Sequence, residues 1–165
     1  MKLSLKQLRL PLLYTWRIAR GATDHKTYNF VELKHEGIVG YGEAAHNVRY
    51  DESLEKIQEF IQAQAKAFSD IDPLEFHAHG EALGRSGSDC ASGKAALDIA
   101  LLDWVGKKLS LPLYRLWGAS PSTLPLSSFS IGIDNPDVIA NRIRAASSFP
   151  IYKIKLGGGN DEEIM

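Results

Sequence analysis

Cysteine is almost absent: Cys90 is the single one in 165 residues. No internal disulfide can form, which fits a reducing compartment and removes the disulfide-stapled class. Long apolar runs are missing too. No stretch approaches the roughly 18 residues that a membrane-spanning helix needs. The start, Met1-Lys2-Leu3-Ser4-Leu5-Lys6, alternates apolar with polar instead of building a signal-peptide block. Neither sign of charge is in excess, since 19 Lys and Arg against 20 Asp and Glu give a formal net charge of -1. Nothing in that balance points to nucleic acid or an anionic membrane as partner. Internal repeats and low-complexity segments are also lacking. What is there is an ordinary globular composition, 44% hydrophobic and 24% charged, enough for one domain or a small domain plus a piece. A soluble, cytoplasmic protein is expected.

Taken in order, residues 3–10 alternate and predict a first strand that ends before Pro11. Residues 16–26 are polar and broken by Gly21, so they read as a loop, either a surface connector or a carrier of binding residues. Residues 27–36 and 38–44 read as a hairpin turning at Gly37. Three antiparallel strands result. Gly40 and Gly42 share one face of the last strand, where they would admit another backbone at close range. Helices supply the cover. One is capped by Asp51 or Ser53 and runs to about Ala67. A second opens at Asp72-Pro73 and ends before Gly84. A third covers 92–108, where Ala96, Leu97, Ala100, Leu101, Trp104 and Val105, with Ile99 and Leu102, leave an apolar surface nearly all round.

After residues 118–122 the pattern changes, and the boundary placed there divides 1–120 from 121–165. Leu124 to Ile133 reads as a strand. Asn135-Pro136-Asp137 reads as a helix start, with the helix reaching about Ser148. Residues 151–157 read as a second strand ended by Gly157, Gly158 and Gly159. Strand, helix and strand joined by short links make a βαβ unit with parallel strands and a right-handed crossover. Residues 160–164, beginning at Asn160, read as the first turn of a further helix.

Several patterns carry no chemistry. Residues 87–94 resemble a phosphate loop only superficially: five residues separate Gly87 from Gly93, and Ala95 stands where a magnesium-binding hydroxyl belongs. His77 and His79 lie two apart on a helix and do not face together. Cys90 has no neighbouring base and reads as inert. Asp98, Asp103 and Glu43 read as structural acids, Glu43 as one buried and satisfied by backbone.

The remaining pattern is Tyr152-Lys153-Ile154-Lys155-Leu156. On a strand, Lys153 and Lys155 share a face. If that face meets solvent, the charges protect an edge strand. If it meets a poorly solvated interior, desolvation and mutual repulsion both favour a neutral amine able to accept a proton.

Together these stretches resemble the enolase superfamily in its muconate-lactonizing branch, most closely the dipeptide epimerases of the L-Ala-D/L-Glu type. The resemblance rests on Gly40-Tyr41-Gly42-Glu43-Ala44, on 95–103 followed by Gly106-Lys107 and Leu111-Pro112-Leu113-Tyr114, and on the two-lysine strand. It implies an α+β capping domain followed by the first βαβ unit of an incomplete TIM-type β/α barrel. It also implies roles. Lys155 is the base that removes a proton α to a carboxylate or carbonyl. Lys153 lies beside it and touches the substrate carboxylate. Arg20 and Thr23, in the loop before the second strand, help select a dipeptide or other small carboxylate, and Ser130 meets the substrate from the first barrel strand. Mg2+ is implied for the full-length enzyme, where it holds the charge of an enediolate. The family's carboxylate ligands and second catalytic lysine lie on later strands. A whole barrel takes roughly 250 residues, and only about forty follow Leu124. The chain is therefore expected to be a fragment, inactive alone and without a family-like magnesium site. A muconate cycloisomerase, an o-succinylbenzoate synthase or a non-catalytic truncated product are the alternatives, and a homo-oligomer stays open.

Overall fold

Alternation and turn chemistry build the first sheet. In the computed structural model, which describes residues 1–87, 89–159 and 161–165, β1 (Lys2–Ile18), β2 (Gly21–His35) and β3 (Ile38–Ala44) follow one another in the order β1-β2-β3. Ser88, within the segment that resembles a phosphate loop, and Asn160, expected to open the last helix, lie outside the described residues. Two units form: Met1–Arg9 with Thr27–Pro121, and Leu10–Lys26 with Ser122–Met165.

In the first unit β2 and β3 pair antiparallel with Val31 opposite Gly42 and Leu33 opposite Gly40. Glu36 and Gly37 turn the chain with φ of 48° and 77°, the two positive values of a tight hairpin turn. Val31 and Leu33 are fully buried under α4 (Ala91–Leu109). A Cβ on Gly40 would lie 2.0 Å from the Ala100 carbonyl oxygen, and one on Gly42 would lie 1.9 Å from that of Ala96. The two glycines therefore set how closely strand and helix approach. Trp104 closes the far end by donating from Nε1 to the His35 carbonyl, 3.0 Å. The core is completed from α1 (Leu54–Ala63), α2 (Ala65–Ser69) and α3 (Phe76–Gly84), which supply Ile57, Ile61, Phe68 and Leu83. A short α5 (Leu113–Leu116) follows α4.

In the second unit β4 (Ser128–Ile131) and β5 (Ile151–Ile154) pair parallel, joined by α6 (Pro136–Ala145); α7 (Asp161–Ile164) follows. Ile131, Ile133, Ile139 and Ala146 are its buried apolar residues. Phe129 packs on Phe149, with ring centroids 5.1 Å apart.

Several expectations need correction. The segment expected as a loop, 16–26, is a hairpin arm: β1 continues through Pro11 to Ile18, and β2 begins at Gly21. Strand pairing satisfies the backbone whatever the side chains are, and an edge strand such as β1 tolerates proline. The first helix breaks at Gln64 instead of running on to Ala67 as one piece. Ile99 on α4 is 48% exposed, so the apolar surface does not encircle that helix. The strand expected from Leu124 forms only from Ser128. Glu43 is exposed, alternating with the packed Gly42 and Ala44, and the buried acids are instead Glu32 and Glu52. Asn135 sits at the N-cap of α6 without a side-chain cap bond; the carboxylate beside it, Asp134, accepts from the Asn135 N–H at 2.9 Å.

Candidate active site

Alternation on β5 decides where the lysines point. The Tyr152 hydroxyl donates to the Ala146 carbonyl at the end of α6, 2.9 Å away. Tyr152 and its paired neighbour Phe129 therefore face the helix. Lys153 points the opposite way. The Lys155 N–H donates to the Ile131 carbonyl at 2.9 Å, which carries the ladder one step further and keeps Lys155 on Lys153's side. Ser130 is the register partner of Lys153 and shares that face. The helix-free side of this small sheet thus bears Ser130, Lys153 and Lys155 in one patch. Lys153 and Ser130 are exposed, and Lys155 is half-buried.

The carboxyl ends of β4 and β5 open on a cleft of about 930 Å³, lined by residues 17–19, 21–22, 133–135 and 157–159. Ends of parallel strands are where α/β folds place ligands, and the volume is that of a small-molecule site. Arg20 is exposed at the turn of the β1–β2 hairpin, whose flanking residues Ala19 and Gly21 line this cleft. Thr23 lies farther along β2 and spends its hydroxyl proton on the His25 carbonyl at 2.6 Å. The residues singled out from sequence therefore form two groups, a lysine–serine patch on the sheet face and a pair on the hairpin, and none of the five lines the cleft.

Three residues of consequence were missed. Asp161 accepts from the Gly157 N–H at 2.8 Å and from the Gly158 N–H, fixing the glycine turn that ends β5. Asp134 lines the cleft and pairs with Arg142 at 2.8 Å. An acid just before Asn-Pro, with an arginine two turns into the helix, was the available signal for both. Elsewhere, Asp103 is the structural acid expected, accepting from the Tyr41 N–H at 2.8 Å. Asp98 is half-buried; burial pushes its carboxyl above the usual range, and no hydrogen bond reaches it among the described residues. Cys90 is half-buried, and burial pushes its thiol up, as suits an inert cysteine.

Magnesium needs several oxygen ligands at close range. Among the described residues no group of three or more His, Cys, Asp or Glu is placed to hold a metal. Asp134 is engaged by Arg142, and Asp161 by the glycine amides. The described residues do not fit a magnesium site. No helix is long and apolar enough to cross a membrane among the described residues.

The fold and this patch define a class: an antiparallel three-stranded sheet covered by helices, then a parallel βαβ unit with lysines on its helix-free face. The chain belongs to the mandelate racemase / muconate lactonizing enzyme family, whose N-terminal domain matches residues 6–118. It is 36% identical, over its whole length, to an L-Ala-D/L-Glu epimerase of Bacteroides thetaiotaomicron, covering 43% of that protein. It is 35% identical to an L-Ala-D/L-amino acid epimerase of a Maribacter species, covering 48%. A dipeptide epimerase from Enterococcus faecalis, solved with magnesium and L-Leu-L-Tyr, superposes over 99% of this chain and 49% of its own, with TM-score 0.83 and 28% identity. The chain spans just under half the length of these relatives.

Proposed function

We propose that this chain supplies the cap and the lysine-bearing strand of a dipeptide epimerase that is magnesium-dependent at full length. The observation that carries the reading is the grouping of Ser130, Lys153 and Lys155 on one helix-free face, in a chain related to epimerases along its whole length. In this reading Lys155 Nζ takes the proton α to a carboxylate or carbonyl. The C–H bond breaks, its electron pair delocalises onto the carboxylate oxygens as an enediolate, and the proton resides on Lys155. Lys153, alongside, holds the substrate carboxylate and the charge that develops there. Arg20 pairs with a substrate carboxylate, in bidentate fashion where the approach is planar. Ser130 offers a hydroxyl contact, and Thr23, whose proton goes to the His25 carbonyl, is left its oxygen to accept from a substrate N–H.

Epimerisation also requires a proton returned on the opposite face of the carbon. One lysine pair on one face serves only one of the two transfers, and the residues described do not fit magnesium, so the chain alone is proposed to be inactive.

The test replaces the matching segment of the Bacteroides epimerase with this chain. The chimera is expected to exchange the α-proton of L-Ala-L-Glu for deuterium in D2O, followed by NMR, and K155M to reduce that exchange by about 10³-fold or more, the scale of a general base. The isolated chain is expected to exchange nothing. A K155M chimera as fast as its parent would remove Lys155 from the chemistry, and turnover by the isolated chain would overturn its proposed inactivity.

A further inference from the structure

The geometry points to Arg142 as a positioning residue that holds the β1–β2 hairpin at the cleft through Tyr14. Arg142 lies on α6 with a side chain only 13% exposed. One nitrogen donates to Asp134 on the cleft wall, 2.8 Å away. The guanidinium carbon lies over the Tyr14 ring of β1, 4.6 Å from its centroid. A planar cation over an aromatic face is held by the ring quadrupole, and holds best when desolvated. Among the described residues, Nε is buried without a hydrogen-bond partner. A surface location would satisfy that N–H with water, so its burial marks a side chain drawn inward by what its other atoms touch.

Two backbone contacts lie on the same path. The Ile133 N–H donates to the Arg17 carbonyl at 2.9 Å. A Cβ on Gly132 would stand 3.0 Å from that same oxygen. The hairpin thus rests on the turn after β4, and Arg142 links the two walls: Asp134 on one side, and on the other Tyr14, whose strand continues to the lining residues Arg17, Ile18 and Ala19. Arg142 itself is not among the lining residues. It acts through its partners, setting the position of the hairpin turn that carries Arg20. That the hairpin serves a dipeptide rests on the function proposed above; the clasp does not.

Hydrogen–deuterium exchange on the whole chain tests it with Y14F, Y14L, R142K and R142M. Y14F keeps the ring and is expected to match the parent. Y14L is expected to speed exchange of the amides of residues 15–24 by about tenfold or more, while α4 and β3 stay as protected as before. R142M should do the same. R142K, which keeps the charge beside Asp134 but not the plane, should lie between. Unchanged hairpin exchange in Y14L, or loss of protection equally across β3 and α4, overturns the proposal. Tyr14 is 52% exposed, so its variants decide even where R142M does not fold. In the chimera, Y14L should raise KM about fivefold over Y14F with kcat within about twofold, the split expected of lost positioning. A chimera without activity sinks the proposed function and leaves exchange to decide the clasp.

Discussion

Glu32 shows how much a single side chain reveals about this sheet. Its strand neighbours Val31 and Leu33 face the core, which turns Glu32 to the other side, where its side chain is 11% exposed. Lys6 donates to it at 2.8 Å, Lys34 lies 3.0 Å from its other oxygen, and the Ser4 hydroxyl adds a longer bond. The hydrogen bonds from Lys6 and Lys34 outweigh the burial penalty and lower its carboxyl to about 2. The folded state therefore takes up this proton less readily than the unfolded chain. The stabilisation is complete above the ordinary value of 4.5 and is lost as pH falls from there through about 2. Thermal unfolding followed between pH 6 and pH 2 should show E32Q with a flatter acid limb than the parent, the two curves converging at the acid end. Parallel curves would mean the carboxylate is not held this way. Glu52 repays burial differently, accepting from the N–H groups of Ser92 and Asn47 at 2.8 and 3.1 Å. Burial alone would raise its carboxyl, and these bonds together with the Ser92 hydroxyl bring it below the usual range. Neither acid was legible as buried, because composition does not say which acid meets donors. Glu43, directly after Gly42, is the better candidate from sequence and is exposed.

The contact of β3 with α4 is the element-scale feature the sequence displayed most openly. Two glycines alternating on a strand have few uses other than close approach, and a Cβ added at either would come within 2.0 Å of a carbonyl oxygen of a helix that leaves no space. Adding a methyl at Gly42 must push strand and helix apart across the main core. G42A is expected to cost about 3 kcal/mol or more, the upper range of overpacking, read as a lower urea midpoint with the slope kept. A loss under about 0.5 kcal/mol, the scale of a neutral surface change, would show that the helix has room to move. The β2–β3 hairpin, α4 and the βαβ order were legible for the same reason: each is fixed by local periodicity or turn residues. The outer arm of β1 and β2 was not. Its side chains do not alternate, since Leu13 and Tyr14 are both exposed, and its pairing rests on backbone and on polar contacts such as Thr15 to Asp24, which no apolar pattern announces. For the candidate site, the lysine patch followed from alternation. Arg142 and Asp134 did not stand out, because their meaning comes from Tyr14, more than a hundred residues away in sequence.

At the scale of the molecule the two units differ in what holds them. The first has a continuous core in which Val31, Leu33, Ile57, Ile61, Leu97 and Leu101 are wholly inaccessible. The second buries Ile131, Ile133, Ile139 and Ala146 but leaves Leu126 71% and Ile151 45% exposed. Two short strands, one crossover helix and the outer arm of β1 and β2 offer little apolar area to offset the entropy of ordering them. Local stability should follow that difference. Native-state exchange is expected to find the amides of β4 and β5 opening about a hundredfold or more faster than those of β3 and α4, with the lysine strand released in urea before the first unit melts. The proposed chemistry makes this order consequential, because Lys153 and Lys155 can act as a pair only while β5 is paired to β4. If both units instead exchange within about twofold of each other and melt in one transition, the chain is a single cooperative structure, and the lysine face is as firmly held as the main core.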